Sequence, residues 1–411
     1  MKTLLLLATT AATAIAAPPE PKFTAQDIDR AVKIGYGVAI ADVDGDKLTD
    51  ILLADARQIR WYKNPGKRGA EWPRYVIAEE LTKNDNVCIA AQDIDGDGKC
   101  EVAIGAEWNP GDTEKSGAVF YLIPPADRTQ KWEPVKFPSV EPTTHRMKWI
   151  RIKKSEWGLV VLPLHGRGNK NAEGEGVKVL LYRKPEDVNA QWKSELLDDS
   201  MHATHNLAPY PESENRGGFW FCGREGIRAV GFNEATGGGT ELPDLIPIGF
   251  RVLGKTNHFA VFPEFDGAGE VRHGNLGKVG RFFATVEPMH GNRLVTYTYP
   301  EGGRGGAAQV PRLVLTDKLN QGHALACGDL LGTGSDQIVV GWRGAKPGDT
   351  VGIAVWTPLD DKGEKWRETL VDDNQTACED LALADLDGDG KLDIVAAGRA
   401  THNLRILWND R

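Results

Sequence analysis

The chain has 411 residues, 41% of them hydrophobic, with 47 Gly and 23 Pro, a turn-rich composition that argues against a disordered or collagen-like polymer. Its formal charge of −9 reflects 58 acidic against 49 basic residues, and no basic run interleaved with aromatics points to nucleic acid as a partner. A repeat that runs through most of the length favours one closed domain over two.

Residues 1–17 read as a secretory signal: Lys2, then Leu4-Leu5-Leu6-Leu7, then Ala14-Ile15-Ala16, with cleavage expected after Ala16 or Ala17. The apolar stretch is too short for a membrane span, so the expectation is a secreted or periplasmic protein whose mature part is residues 18–411. Five cysteines are an odd number, and Cys88, Cys222 and Cys327 lie inside apolar strands, which predicts buried free thiols.

After Pro18-Pro19-Glu20-Pro21 comes Phe23-Thr24-Ala25, a spare strand that precedes the first full unit. That unit carries Asp42, Asp44, Asp46 and Asp50 between two apolar runs; the second carries Asp93, Asp95, Asp97 and Glu101, and the last Asp385, Asp387, Asp389 and Asp393. Carboxylates at loop positions one, three, five and nine, with glycine relaxing the turn, are the oxygen spacing that calcium prefers. A decayed copy, Asp329 through Asp336, keeps the strands and loses most of the ligands.

Asp42 to Asp93 is 51 residues, Asp329 to Asp385 is 56, and the 236 residues from Asp93 to Asp329 divide into four steps of 59. Strands ending in an aromatic keep the same beat at Trp61-Tyr62, Phe120-Tyr121, Tyr182, Phe232, Tyr297, Trp356 and Trp408. Seven units of about four short strands predict an all-β, seven-bladed propeller of four-stranded antiparallel blades. The last unit stops one strand short at Leu404 to Trp408, so the strand near Phe23 is expected to complete it and close the ring.

The third blade is expected to start near Thr144-His145-Arg146, the fourth at His202-Ala203-Thr204-His205, the fifth at Asn257-His258-Phe259, the sixth at Gln321-Gly322-His323, and the seventh at Cys378-Glu379-Asp380. A long loop is expected over Gly267 to Gly280.

The Asp-x-Asp-Gly-Asp loops within strand-flanked repeats resemble the FG-GAP or VCBS family of propellers. Glu287-Pro288-Met289-His290-Gly291-Asn292, Asn320-Gln321-Gly322-His323-Ala324 and Ala400-Thr401-His402-Asn403-Leu404 resemble the propeller portion of the aldos-2-ulose dehydratase family. That resemblance implies a carbon–oxygen lyase that removes water from keto-sugars such as 1,5-anhydrofructose. Fungal members of that family resemble a propeller followed by cupin domains, which these 411 residues lack.

In a four-stranded blade the acidic turns all lie on one face, and the blade starts and second turns lie on the other. Eight of the nine histidines, all but His273, fall in or beside that second set. His205, His258 and His323, at blade starts on strands that converge on the axis, are the predicted ligands of a transition metal, most simply zinc with an open position. His145 or His290 is the predicted proton-transfer base, with Arg167, Arg343 and Tyr36 completing the catalytic set. Trp108, Glu107, Arg224, His165 and His402 are predicted to bind a carbohydrate substrate.

The chemistry that suits this set is metal-assisted β-elimination on a keto-sugar, by dehydration or by glycoside elimination. A second reading is a polysaccharide lyase on uronic-acid chains, with Tyr36 or Tyr210 near the histidines. A third is a non-catalytic carbohydrate-binding or adhesion propeller, which predicts no convergence of histidines.

Overall fold

The computed structural model describes residues 17–210, 216–233, 251–253, 258–261, 267–278, 280–300 and 311–411. The predicted signal segment falls almost wholly outside these residues. The described residues form strands and turns, and no helix among them is long and apolar enough to cross a membrane.

Among the described residues, twenty-nine strands lie in seven antiparallel sheets. The chain opens with β1 (Phe23–Asp29), which joins the last sheet. Blade one is β2 (Gly37–Ala41), β3 (Asp50–Ala54), β4 (Gln58–Tyr62) and β5 (Arg74–Glu79). Blade two is β6 (Cys88–Gln92), β7 (Glu101–Ala106), β8 (Ala118–Ile123) and β9 (Glu133–Lys136). Blade three is β10 (Thr144–Lys153), β11 (Glu156–Pro163), β12 (Val179–Arg183) and β13 (Lys193–Asp198).

Blade four holds β14 (Thr204–Pro209), β15 (Arg216–Gly223) and β16 (Gly226–Asn233), followed by the hairpin β17 (Arg251–Leu253) and β18 (His258–Val261). Blade five is β19 (Glu270–Leu276), β20 (Gly280–Glu287), β21 (Arg293–Pro300) and β22 (Arg312–Thr316). Blade six is β23 (Gly322–Gly328), β24 (Gln337–Trp342), β25 (Gly352–Pro358) and β26 (Trp366–Asp373). Blade seven is β27 (Cys378–Ala384), β28 (Asp393–Gly398) and β29 (Asn403–Asn409), with β1 outermost.

The predicted closure is present: Phe23 pairs with Asn409, Thr24 with Trp408 and Ala25 with Leu407. Asp27 then ion-pairs with Arg405 at 2.6 Å, and buried Asp29 accepts from Arg60, Arg74 and the Tyr62 hydroxyl, so the spare strand is tied to blade one as well.

Second strands such as Asp50-Ile51-Leu52-Leu53-Ala54 are buried along their whole length because a neighbouring blade covers each face. Seven apolar clusters follow, one at each blade interface; the cluster of Val38, Ile51, Leu53 and Tyr62 against Val395, Leu404, Ile406 and Trp408 seals blade seven to blade one. All five cysteines are free; Cys88 and Cys222 are buried as the sequence reading expects, whereas Cys327 is only partly buried.

The fifth blade departs from expectation. His258 opens β18, whose backbone pairs with Val230 of β16 and Leu253 of β17 on the outer side of blade four. The fifth inner strand is β19, inside the stretch read as a long loop. Its sequence, Glu270-Val271-Arg272-His273, is polar because it lines the axis, and an apolar pattern therefore points to the wrong strand.

Candidate active site on the axis

Four of the seven inner strands begin with a β-bulge at the same place. The register slips between Thr144 and Arg146, between Thr204 and Asn206, between Gly322 and Ala324, and between Cys378 and Asp380. The residue left over in each case is His145, His205, His323 or Glu379. A bulge turns one side chain out of the pleat, and here it re-aims four functional groups at one rim of the axis.

The imidazoles are fixed by the backbone of the next blade. His145 Nδ1 lies 2.8 Å from the His205 carbonyl, His205 Nδ1 lies 2.7 Å from the Gly269 carbonyl, and His323 Nδ1 lies 2.6 Å from the Glu379 carbonyl. A carbonyl can only accept, so each Nδ1 carries the proton and each Nε2 is left with its lone pair. His290 reaches the same place from the turn after β20: its Nε2 lies 2.7 Å from His205 Nε2, which makes His290 the donor of that contact. One ring nitrogen each of His205, His290 and His323 lies within 4.8 Å of the others.

The His290 turn is built for close approach. A Cβ on Gly291 would stand 2.1 Å from the Glu287 carbonyl oxygen, so only glycine fits there. The turn is anchored from below by Glu287, fully buried and accepting from Arg312 at 2.6 Å and the Tyr297 hydroxyl at 2.7 Å.

All four imidazoles are held neutral. Burial pushes His145, His205 and His323 well below the usual imidazole range, helped by Arg146 and Arg343, and it pushes His290 down to about 2. Neutral imidazole is the form that binds a metal or takes a proton.

Around this cluster the ring of Trp108 stacks on His145 with centroids 5.1 Å apart. Glu379 receives Arg343 at 2.7 Å and Arg399 at 3.0 Å, and Arg399 also lies over the Tyr36 ring. The Tyr36 hydroxyl donates to Asp85 at 3.2 Å, and burial together with Asp85 raises its pKa, so it stays protonated. His145, His205, His290, His323, Arg343, Trp108 and Tyr36 are thus gathered as a set.

The other predicted residues are engaged elsewhere on the rim. Arg167 donates to the Glu114 carbonyl and pairs with Glu141 at 3.4 Å, and Arg224 donates to the carbonyls of Asn171 and Ala172. Glu107 accepts from Asn84 and Lys83, and His402 contacts the Val32 and Lys33 carbonyls, clasping the amino-terminal segment. His165 bridges to Ala203, with burial lowering its pKa. Tyr210 is a core residue packed on Trp220. The His258 side chain lies outside the described residues, and the axial cluster takes its third imidazole from His290 instead.

Sequence reading gave Glu379 and Arg399 no role, although Glu379 occupies the blade-start position of the histidines. Alignment of the repeats on that position is the signal that finds it.

At the opposite face, positions one, three and nine of each intact acidic loop come together: Asp42, Asp44 and Asp50; Asp93, Asp95 and Glu101; Asp385, Asp387 and Asp393. The residues at position five turn aside; Asp97 caps the Lys99 amide and Asp389 takes the Lys391 ammonium at 2.7 Å. Burial first, then neighbouring carboxylates, push Asp50 and Glu101 up to about 7 and Asp393 to about 6.

Residues 42–104 match the FG-GAP-like repeat family. Over 348 residues the chain is 23% identical to the aldos-2-ulose dehydratase of Phanerodontia chrysosporium, covering 79% of this chain but only 35% of that protein. The chain therefore spans about a third of the length of that relative. Among solved structures, a chain of the BBS1N–ARL6DN complex soaked with lead has a TM-score of 0.53 at 13% identity, covering 96% of this chain and 97% of that one. Kuenenia stuttgartiensis hydrazine synthase has a TM-score of 0.51 at 11% identity, covering 98% and 99%. Both support the fold alone.

The stretch that matches the FG-GAP-like repeat holds the first two acidic loops, and they differ in their neighbours. Lys63 contacts Asp44 and lies 2.8 Å from Asp46 in the first loop, and Arg68 contacts Asp387 in the last. No basic side chain pairs with Asp93, Asp95 or Glu101 among the described residues, so the second repeat has the carboxylate set best suited to a divalent cation.

Proposed function

We propose that this propeller is a secreted carbohydrate lyase that eliminates water or an alcohol from a keto-sugar at the histidine-lined end of its axis, with calcium in the acidic loops on the opposite face. The observation that carries the reading is the convergence of three imidazoles, two of them held by Nδ1 on backbone carbonyls so that their Nε2 atoms face one point. A three-nitrogen set of this compactness would fit one transition metal, most simply zinc, held by His205, His290 and His323 once the His290 Nε2 proton that bridges to His205 is released. A metal there would polarise the substrate carbonyl and stabilise the negative charge that develops when the adjacent carbon loses its proton.

The remaining groups have separable tasks. His145 is the proposed base: its Nδ1 proton is committed to the His205 carbonyl, its Nε2 is free, and its pKa lies low enough for the neutral form to dominate. Trp108 fixes the plane of that ring and offers an aromatic edge to a sugar. Arg343 and Arg399, oriented by Glu379, are placed to hold sugar oxygens, and the protonated Tyr36 hydroxyl is the proposed donor toward the leaving group. The resemblance to a curated aldos-2-ulose dehydratase supports the carbohydrate assignment and, more weakly, the lyase chemistry.

The test pairs metal analysis with turnover of 1,5-anhydrofructose and related keto-glycosides, followed by the ultraviolet absorbance of the enone. His323→Ala should lose metal and activity together, whereas His145→Ala should lose activity by about 10²–10⁴-fold with metal retained. Full activity in His323→Ala, or a purified protein with no metal beyond the acidic loops and no turnover, would return the chain to the adhesion reading.

A further inference from the structure

Immediately inside the histidine rim the axis widens into a cavity of about 260 Å³, lined by the innermost strands of several blades. Three cationic side chains reach it from two of these strands: Arg146 and Lys148 on β10, and Arg272 on β19. Among the described residues Asp380 is the one carboxylate in the lining, with the carboxylate of Glu270 adjoining through Arg272.

The donors and acceptors of this chamber do not balance. Asp380 accepts the Val38 amide at 2.8 Å and the Leu381 amide at 3.0 Å, so each of its oxygens already holds one backbone donor. Glu270 takes the Asn206 amide group at 2.8 and 2.7 Å and Arg272 at 3.2 Å. Arg146 donates to the His145 carbonyl at 3.0 Å, which uses one of its five N–H groups. The Lys148 ammonium makes no hydrogen bond or ion pair with protein among the described residues. Burial lowers its pKa, and Arg272 and Arg146 add to that against the pull of Asp380. Counting Glu270 with its partner Arg272, three cations meet two carboxylates, which leaves one positive charge in excess in a space large enough for a small oxyanion. Buried cations left in this state call for a counter-charge.

We propose that the chamber is an oxyanion site in which Lys148, Arg146 and Arg272 hold a carboxylate or phosphate group, supplied by a free ion or by the anionic end of a sugar. Arg146 and Asn206 directly follow the bulged His145 and His205, so an anion here would sit one residue below the rim where the histidines act. The inference uses none of the histidines as ligands and stands apart from the metal reading.

Titration calorimetry of the full chain with inorganic phosphate, and with glucose as the neutral control, tests it. Saturable binding of one phosphate and none of glucose is expected, weakening as ionic strength rises. Lys148→Met should lower phosphate affinity at least roughly tenfold, Lys148→Arg should retain it, and Asp380→Asn should tighten it, an outcome that a merely destabilised variant cannot produce. Glucose 6-phosphate binding at least about tenfold tighter than phosphate would assign the site to the anionic end of a sugar, and equal affinities would assign it to a free ion. Absence of saturable phosphate binding, or an unchanged affinity in Lys148→Met, would overturn the proposal. So would loss of phosphate binding in a folded His323→Ala protein, because the anion would then belong to the histidines.

Discussion

Deleting Phe23–Asp29 from the otherwise full chain removes the outer strand of blade seven, and the expected cost follows from the pairing. Six positions of β1 pair with β29. At a net contribution of about 1 kcal/mol per hydrogen bond, the ladder supplies roughly 4–6 kcal/mol. The deletion also removes Asp29, an acceptor shared by Arg60, Arg74 and Tyr62, and Asp27, the partner of Arg405. Arg60 keeps Asp55 at 3.1 Å and Arg405 keeps Asp372 at 2.9 Å, so neither guanidinium is stranded and the ladder dominates the loss.

With an unfolding entropy of ~2.1 cal/mol/K per residue, a combined loss of roughly 8 kcal/mol, about 5 from the ladder and about 3 from Asp29, lowers the melting temperature by roughly 9 °C, and urea unfolding should shift in step. A synthetic peptide covering residues 20–31 should restore part of the melting temperature, because it can refill the open edge. If the truncated chain melts with the parent, blade seven does not depend on β1, and the pairing with β29 is a passive association.

Replacing Asp29 with Asn should cost about 3 kcal/mol in urea titration, toward the low end for breaking a buried ion pair because Arg60 retains Asp55. The effect should be pH dependent. Burial raises the Asp29 pKa, but Tyr62, the Ala31 amide and Arg74 outweigh it and leave the pKa lowered. Its contribution is therefore complete above about pH 4 and lost as pH falls through the native value, so Asp29→Asn should flatten the acid limb of the stability profile. Chelator should lower the melting temperature, and Asp95→Asn in the second loop should remove more of that response than Asp44→Asn in the first, where Lys63 already neutralises part of the charge. An equal response in both variants would count against the role given to Lys63. Glu379→Gln should release Arg343 and Arg399 and reduce turnover by about 10²-fold or more with metal content unchanged, because the His323 bond is to the Glu379 backbone carbonyl. Loss of metal with activity would instead mean that the carboxylate shapes the ligand set.

The blade count and the closure were legible because both rest on patterns that burial imposes: apolar second strands, aromatic third strands and a missing fourth strand. The gathering of His145, His205 and His323 was legible for a related reason, since residues at equivalent places in a ring meet at its axis. His258 was misplaced because the criterion was apolarity, and β19 is an inner strand whose side chains include Glu270, Arg272 and His273. His290 was legible as a rim histidine but not as a neighbour of His205, because that contact depends on how far the turn after β20 folds back over Gly269. A Cβ on Gly269 would lie 3.1 Å from the His290 amide, a closeness that no spacing reveals.

The two ends of the propeller divide the blades between them. Blades one, two and seven keep a full acidic loop and place Tyr36, Asn86 and Glu379 at the opposite rim, while blades three to six lack a full loop and supply His145, His205, His290 and His323. Inner strands such as β2 and β27, of five and seven residues, separate these ends by roughly 17–23 Å. At about 20 Å and an effective dielectric of ~20, one unit of charge lost or gained in an acidic loop changes the energy of a charge at the rim by about 0.8 kcal/mol. The loops are also joined to the rim covalently, through the inner strands. The strands that join the two ends differ: β2 and β6 run unbulged from acidic turn to rim, whereas β27 combines an acidic turn with a bulge at Glu379. Among the described residues Glu379 thus combines a bulge at the rim with an acidic loop at the other end of its strand, and it is also the group that holds Arg343 and Arg399 in place.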